Sequence, residues 1–201
     1  MKKWLILLIS LCSFTALAGC SLVDKVIGER ANGIILYGNK ENIESDVAPL
    51  RNELKSFNMY ETKMTESNAQ KIMVMDETTA QSFLMKGLFR EVKDDEATII
   101  KSLPSVKKEQ GVLFAKDEIK NPEIEGKTYA TKYEGNIIIG SSRSYADAFM
   151  IVDNEIYKSI QGESTNVGVL LFKSAKESET SMNKFKEELS PQLVTITLQK
   201  G

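Results

Sequence analysis

An α+β fold built on a mixed sheet is predicted by three observations. Apolar runs followed by helically spaced apolar residues stand at both ends of the chain, as strand–helix–strand units. Short strand-like runs separated by turn residues fill the middle. Hydrophobic residues make up 42% of the 201, enough for a buried core.

Residues 34–37, Ile-Ile-Leu-Tyr, lie between Gly33 and Gly38, the pattern of a strand buried on both faces. Ile43, Val47, Leu50 and Leu54 recur at helical spacing, and Pro49 should kink or delay that helix. Residues 71–75 read as a second strand. Asp76 or Thr78 can cap the helix that follows, whose apolar face carries Phe83, Leu84, Leu88 and Val92. Residues 93–110 show no dominant period and are broken by Pro104. Residues 112–115 read as a short strand, and 117–126 as a loop.

Residues 128–133 and 137–140 flank Glu134-Gly135-Asn136, and 148–152 and 156–160 flank Asp153-Asn154-Glu155. Each pair reads as a hairpin. Residues 167–172 read as strand. Residues 176–189 read as a helix with Met182, Phe185 and Leu189 on one face, ended by Pro191. Residues 193–198 complete the set, and the helices are expected on one face of the sheet.

One internal echo runs through this pattern. Gly33-Ile-Ile-Leu-Tyr37 aligns without gaps on Gly168-Val-Leu-Leu-Phe172. Glu44, Val47, Leu50, Glu53 and Leu54 then fall on Glu179, Met182, Phe185, Glu188 and Leu189. Two amphipathic strand–helix units can converge on such a pattern, or descend from a duplication.

The first twenty residues read as an address. Lys2 and Lys3 precede an apolar run over residues 4–11, too short to span a bilayer and of the length of a signal-peptide core. It leads into Leu17-Ala18-Gly19-Cys20. These four residues resemble the lipobox of bacterial lipoproteins. Ala18 and Gly19 are small enough to enter a signal peptidase cleft, and Cys20 supplies the thiol for diacylglyceryl transfer. The resemblance implies a leader over 1–19, a lipidated cysteine and short tether over 20–32, and a single α+β domain over 33–201. The short tether implies a domain close to the bilayer, and two acyl chains suffice for stable anchoring.

Removing 19 residues leaves 182, with 24 basic and 28 acidic side chains. A net charge of −4 argues against nucleic acid and against a polybasic contact with anionic lipid. With Cys20 acylated and Cys12 removed, no free thiol or internal disulfide remains. Four of the 26 basic residues are arginines (Arg30, Arg51, Arg90 and Arg143), and the rest are lysines. This bias resembles the small uncharacterised lipoproteins of low-GC Gram-positive bacteria. That implies the outer face of the cytoplasmic membrane.

The chain contains no histidine, which excludes Ser-His-Asp and Cys-His catalysis and histidine-ligated zinc. Met73 and Met75 alternate on a strand and could offer thioethers to Cu(I), but core packing is the simpler reading. The carboxylate runs Asp94-Asp95-Glu96 and Glu187-Glu188 are sequence neighbours and do not face each other across a cleft. Ser141-Ser142-Arg143-Ser144 could bind an anion or supply a Ser–Lys dyad, but no Gly-x-Ser-x-Gly or Ser-x-x-Lys motif supports this and a polar loop is the default. Tyr129 and Tyr133, with Tyr145 and Tyr157 nearby, could stack a glycan or pack across strands. No catalytic, cofactor-binding or metal-binding residue is assigned, and no enzyme activity is expected.

Residues 149–157, Phe-Met-Ile-Val-Asp-Asn-Glu-Ile-Tyr, followed by Val169-Leu-Leu-Phe172 and a helix, resemble a segment of the extracellular domains of FtsX-like ABC permeases. The likeness covers about 40 residues and implies fold-level analogy alone. The function expected is a non-enzymatic lipoprotein that binds another envelope component, most plausibly a membrane protein complex. A small-ligand or wall-fragment binding module is the alternative, and a carboxylate-dependent wall hydrolase stands third. The domain freed of its leader is expected to be a soluble monomer. Replacing Cys20 by Ala should abolish incorporation of labelled fatty acid; persistent labelling would show that the lipobox reading is mistaken.

Overall fold

Asn39, Asp76, Asp153 and Ser174 each follow an extended stretch, and each turns the chain into a helix. Their side-chain oxygens accept a backbone N–H two or three residues on. The computed structural model describes residues 30–94 and 96–199. The leader, Cys20, the tether as far as Glu29, and Asp95 lie outside the described residues. One unit spans Ala31–Gly201.

Its elements are β1 (Gly33–Gly38), α1 (Lys40–Val47), a 3-10 segment (Ala48–Glu53), β2 (Leu54–Ser67), β3 (Gln70–Asp76) and α2 (Glu77–Met85). Then come β4 (Phe89–Lys93), β5 (Glu96–Ile99), β6 (Gly111–Ala115), β7 (Glu123–Ile124), β8 (Lys127–Thr128), β9 (Thr131–Tyr133) and β10 (Ile137–Ile139). The chain closes with β11 (Ala148–Val152), α3 (Asn154–Ser159), β12 (Glu163–Phe172), α4 (Ala175–Met182), a 3-10 turn (Glu187–Leu189) and β13 (Gln192–Val194).

Eight strands form one mixed sheet in the order β13-β1-β12-β2-β3-β11-β6-β9. Only β3–β11 and β6–β9 are parallel. Both faces of the sheet are covered. Ile34, Leu36, Leu170 and Phe172 meet Ile43 and Val47 of α1 and Met182 of α4. Further along the same face, Ile72, Val74 and Met150 meet Ile156 and Tyr157 of α3. Ile35, Tyr37, Met73, Met75 and Val169 point the other way. There they meet Phe83 of α2 and the small sheet β10-β4-β5. The α+β class and mixed sheet are therefore as the sequence predicts, but α2 lies opposite the other helices.

The echo is a real repeat of geometry. α1 and α4 start 135 residues apart, at Lys40 and Ala175, as do their caps Asn39 and Ser174. Pairing follows the same offset. Gly33↔Val194, Ile34↔Leu193 and Ile35↔Gln192 join β1 to β13. Gly168↔Met59, Val169↔Asn58 and Leu170↔Phe57 join β12 to β2 in the matching register. Each unit receives one strand of the other between its own two strands, giving a pair of interlocked split βαβ units.

Several sequence expectations are corrected. Residues 156–160 are not a strand. Asp153 Oδ1 accepts the N–H of Glu155 (2.7 Å) and Ile156 (3.0 Å), so the expected hairpin turn is an N-cap and α3 follows. β9 and β10 are not a hairpin, because β9 pairs with β6 in the large sheet and β10 with β4 in the small one. The first helix ends at Val47, and Pro49 opens a 3-10 segment whose Leu50 is still buried. The helix expected over 176–189 ends at Met182, and Phe185 and Leu189 reach the core from the turns beyond it. The helix after β3 ends at Met85, leaving Val92 to β4. One short strand, β7, interrupts the expected loop; it pairs with β8 just beyond it, and past Thr128 the strand expected over 128–133 is confined to β9. The last strand stops at Val194, and the following residues are tied down by Thr197 N–H to Lys86 O (3.1 Å).

Candidate functional site

The serine loop is the first sequence-selected candidate, and the fold closes it from within. Gln192 at the start of β13 is buried, and its Oε1 accepts the N–H of Ser141 (3.1 Å) and Ser142 (3.3 Å). Its Nε2 donates to Ser144 Oγ (3.0 Å). The approach depends on Gly140, whose φ is +77° and where a Cβ would lie 2.7 Å from Oε1. A neutral amide oxygen thus occupies the place an anion would take. Arg143 turns inward, donating to Asn136 Oδ1 (2.9 Å), Ile137 O (2.8 Å) and Asp147 O (3.0 Å) over the Phe149 ring. Burial lowers its pKa, opposed by Tyr133 and Asp147.

Other candidates disperse. Met73 and Met75 are fully buried in the core. Glu187 and Glu188 are exposed, and so are Asp94 and Glu96. Among the described residues no three carboxylates gather as a metal site would need. Tyr129 is buried and lies between strands rather than on one. Tyr133 donates its hydroxyl to Ala115 O (3.2 Å) or Lys116 O (3.3 Å). These two tyrosines line none of the cavities described.

Two open features lie along β2, the longest strand, which sequence patterning misses. Phe57 and Met59 face α1, while Tyr60 and Met64 face α2. Apolar residues therefore occur on both faces, interleaved with polar ones, and neither alternation nor a continuous run shows.

The first feature is an edge. β12 pairs with β2 down to Leu54, whereas β3 pairs with it only from Lys63 onward. Residues 55–62 are thus paired with a strand on one side and, among the described residues, with none on the other, although β3 still runs beside Glu61 and buried Thr62 as far as Asp76. Lys55, Asn58 and Glu61 are exposed there, and Phe57, Met59 and Tyr60 are half-buried. Extending the Lys63↔Val74 register puts Asp76 level with Glu61, so the edge is acidic at that end. Its other end is basic, with Lys55 and with Arg51 over the Phe57 ring at 5.5 Å.

The second feature is an open cavity of about 950 Å³ at the far end of β2. Met64, Glu66, Lys71, Tyr145, Glu163 and Thr165 contribute to its wall. Tyr145 lies flat against buried Tyr37, with ring centroids 4.5 Å apart and planes 17° apart. Its hydroxyl is 2.8 Å from Thr165 Oγ1, which in turn donates to Gly38 O (3.3 Å).

Between the two, Lys63 Nζ donates to Tyr157 O (2.7 Å) and Ile160 O (2.6 Å), closing the C-terminal end of α3. Tyr157 itself is pushed up to about 12 by partial burial and by the nearby carboxylates Glu61 and Asp76. Tyr37 is raised further still, by burial and then by Tyr145.

A family model described as an uncharacterised lipoprotein family matches residues 31–197. A crystal structure of a protein assigned as a lipoprotein from Bacillus anthracis is 28% identical, with a TM-score of 0.72. The match covers 83% of this chain and 100% of that one. A search of curated proteins returns no match. Among the described residues no helix is long and apolar enough to cross a membrane.

Replacing Gln192 by Ala leaves the Ser141 and Ser142 amides without their acceptor. Chemical denaturation should show a loss of about 2–3 kcal/mol, and a loss below about 0.5 kcal/mol would mean that water replaces the amide. The tyrosines give a pH test. A phenol whose folded pKa lies above its unfolded value adds stability below pH about 10, and loses it as pH rises towards 12. Absorbance titration should show that Tyr157→Phe removes one phenol ionising near pH 12 and flattens alkaline unfolding over that window. Removal of a phenol ionising near pH 10 would show that Tyr157 is not held neutral by its burial and its carboxylate neighbours.

Proposed function

The chain belongs to this uncharacterised lipoprotein family. We propose that it is a non-enzymatic lipoprotein that captures an extended segment of another envelope protein. The lipid on Cys20 holds it at the outer face of the cytoplasmic membrane. The observation that carries the reading is the unpaired edge of β2 over residues 55–62.

An open edge offers a row of backbone N–H and C=O groups, which an incoming strand pairs with, while side chains on alternate faces select its sequence. The charges at its ends set the chemistry of the partner. A strand running antiparallel to β2 meets Glu61 and Asp76 first and Lys55 last. It therefore carries Lys or Arg near its start and Asp or Glu about six residues later, with apolar side chains between to meet Phe57, Met59 and Tyr60.

A photocrosslinking residue at Asn58 of the full-length lipidated protein, in its native membrane, tests this. The expected product joins position 58 to one membrane protein through a peptide of that charge order, and the same residue at exposed Lys108 yields none. Equal products from both positions, or a crosslinked dimer of this chain alone, would overturn it.

A further inference from the structure

We propose that the cavity at the far end of β2 binds a saccharide carrying a free ammonium group. The inference stands apart from the strand-capture reading, since none of the edge residues 55–62 lines this cavity. A volume of about 950 Å³ is at the upper end of the range for small-molecule sites, about 300–1,000 Å³, and leaves room for more than one sugar ring.

Three features select the ligand. The first is an aromatic shelf. Tyr37 backs the Tyr145 ring, and the bond to Thr165 fixes its hydroxyl. The shelf is thus ordered in advance, which lowers the entropy cost of stacking a sugar on it. The second is charge. Glu66, Glu125 and Glu163 line the cavity with only Lys71 to oppose them, and among the described residues none of the four is in an ion pair. A cationic guest is drawn to that wall and a phosphate is repelled. The third is the Ser144 hydroxyl and the Gln161 amide on the same wall. These suit a polyhydroxylated guest better than a bare alkylamine.

Calorimetry of the full-length lipidated protein in detergent micelles tests the proposal with three probes: a glucosamine tetramer, its N-acetylated counterpart and spermidine. The glucosamine tetramer should bind at least about tenfold more tightly than either of the others. The double variant Glu66→Gln with Glu163→Gln sits at exposed positions and keeps the fold, and should weaken that binding about fivefold or more. Tyr145→Ala should abolish it, but could also loosen the packing on Tyr37, so the double variant decides. No heat with the glucosamine tetramer, equal affinity for the acetylated form, equal affinity for spermidine, or an unaffected double variant would each overturn the proposal.

Discussion

The antiparallel pairing of β1 with β12 is the constraint on which the rest of the fold depends. Both strands bury apolar side chains on both faces: Ile34, Leu36, Leu170 and Phe172 on one, Ile35, Tyr37, Val167 and Val169 on the other. Each such side chain contributes about 1.5–3 kcal/mol when fully buried, so neither face can be left open. The two-sided covering follows from this. Apolarity on both faces also removes the usual safeguard on register, because a slip by one residue exposes nothing polar to the core. Asn32 supplies the missing specification. Its N–H donates to Val194 O and its carbonyl accepts from Phe172 N–H. Its side chain accepts from Ile196 N–H (2.7 Å) and donates to Ile196 O (3.1 Å). One residue thereby fixes β1 against both neighbouring strands.

The interlocked repeat explains why β2 is long. It must run the length of β12, as β13 runs beside β1 in the other unit, and it then continues to turn back into β3. Its neighbours on the other side are short for a local reason. β3 ends at Asp76 and β11 at Val152, which stand opposite each other, and each chain then enters a helix capped by an aspartate. Two caps at one level cut the sheet back, and the one that ends β3 leaves the first half of β2 without a partner on that side. The open edge therefore follows from the end of β3, the one strand on that side of β2, where Asp76 caps α2.

Much of this was legible in the residues. The run Ile34-Ile-Leu-Tyr37, the strands at 71–75 and 112–115 and the cap at Asp76 are local signals, and they hold. The echo was visible too, because strand and helix periods are local to each unit and lie at one offset. What was lost has a physical cause in each case. Asp-Asn-Glu at 153–155 suits a turn and an N-cap equally, and only the presence of β3 beside β11 decides between them. β9 and β10 are adjacent in sequence but are claimed by different sheets, a long-range outcome that a hairpin signal cannot carry. β2 lies between two cores and shows neither period. Tyr145 of the cavity stood out as an aromatic, but the rest of both candidate surfaces was illegible for the same reason, since both are built on β2.

The two surfaces also share a support. Lys63 stands between the open edge and the cavity, and its ammonium closes the end of α3 through Tyr157 O and Ile160 O. Ile160 begins the wall that continues through Gln161, Gly162 and Glu163 into the cavity, while Tyr157 sits by Glu61 and Asp76 at the acidic end of the edge. A charge-assisted bond to a carbonyl is stronger than a neutral one, and two of them on one ammonium hold α3 at a fixed height over β2. Gly162 keeps this wall close to the strand, since a Cβ there would lie 2.8 Å from Met64 O. The residues that shape the cavity and those that end the edge are thus positioned by the same lysine, on the strand that the repeat obliges to be long.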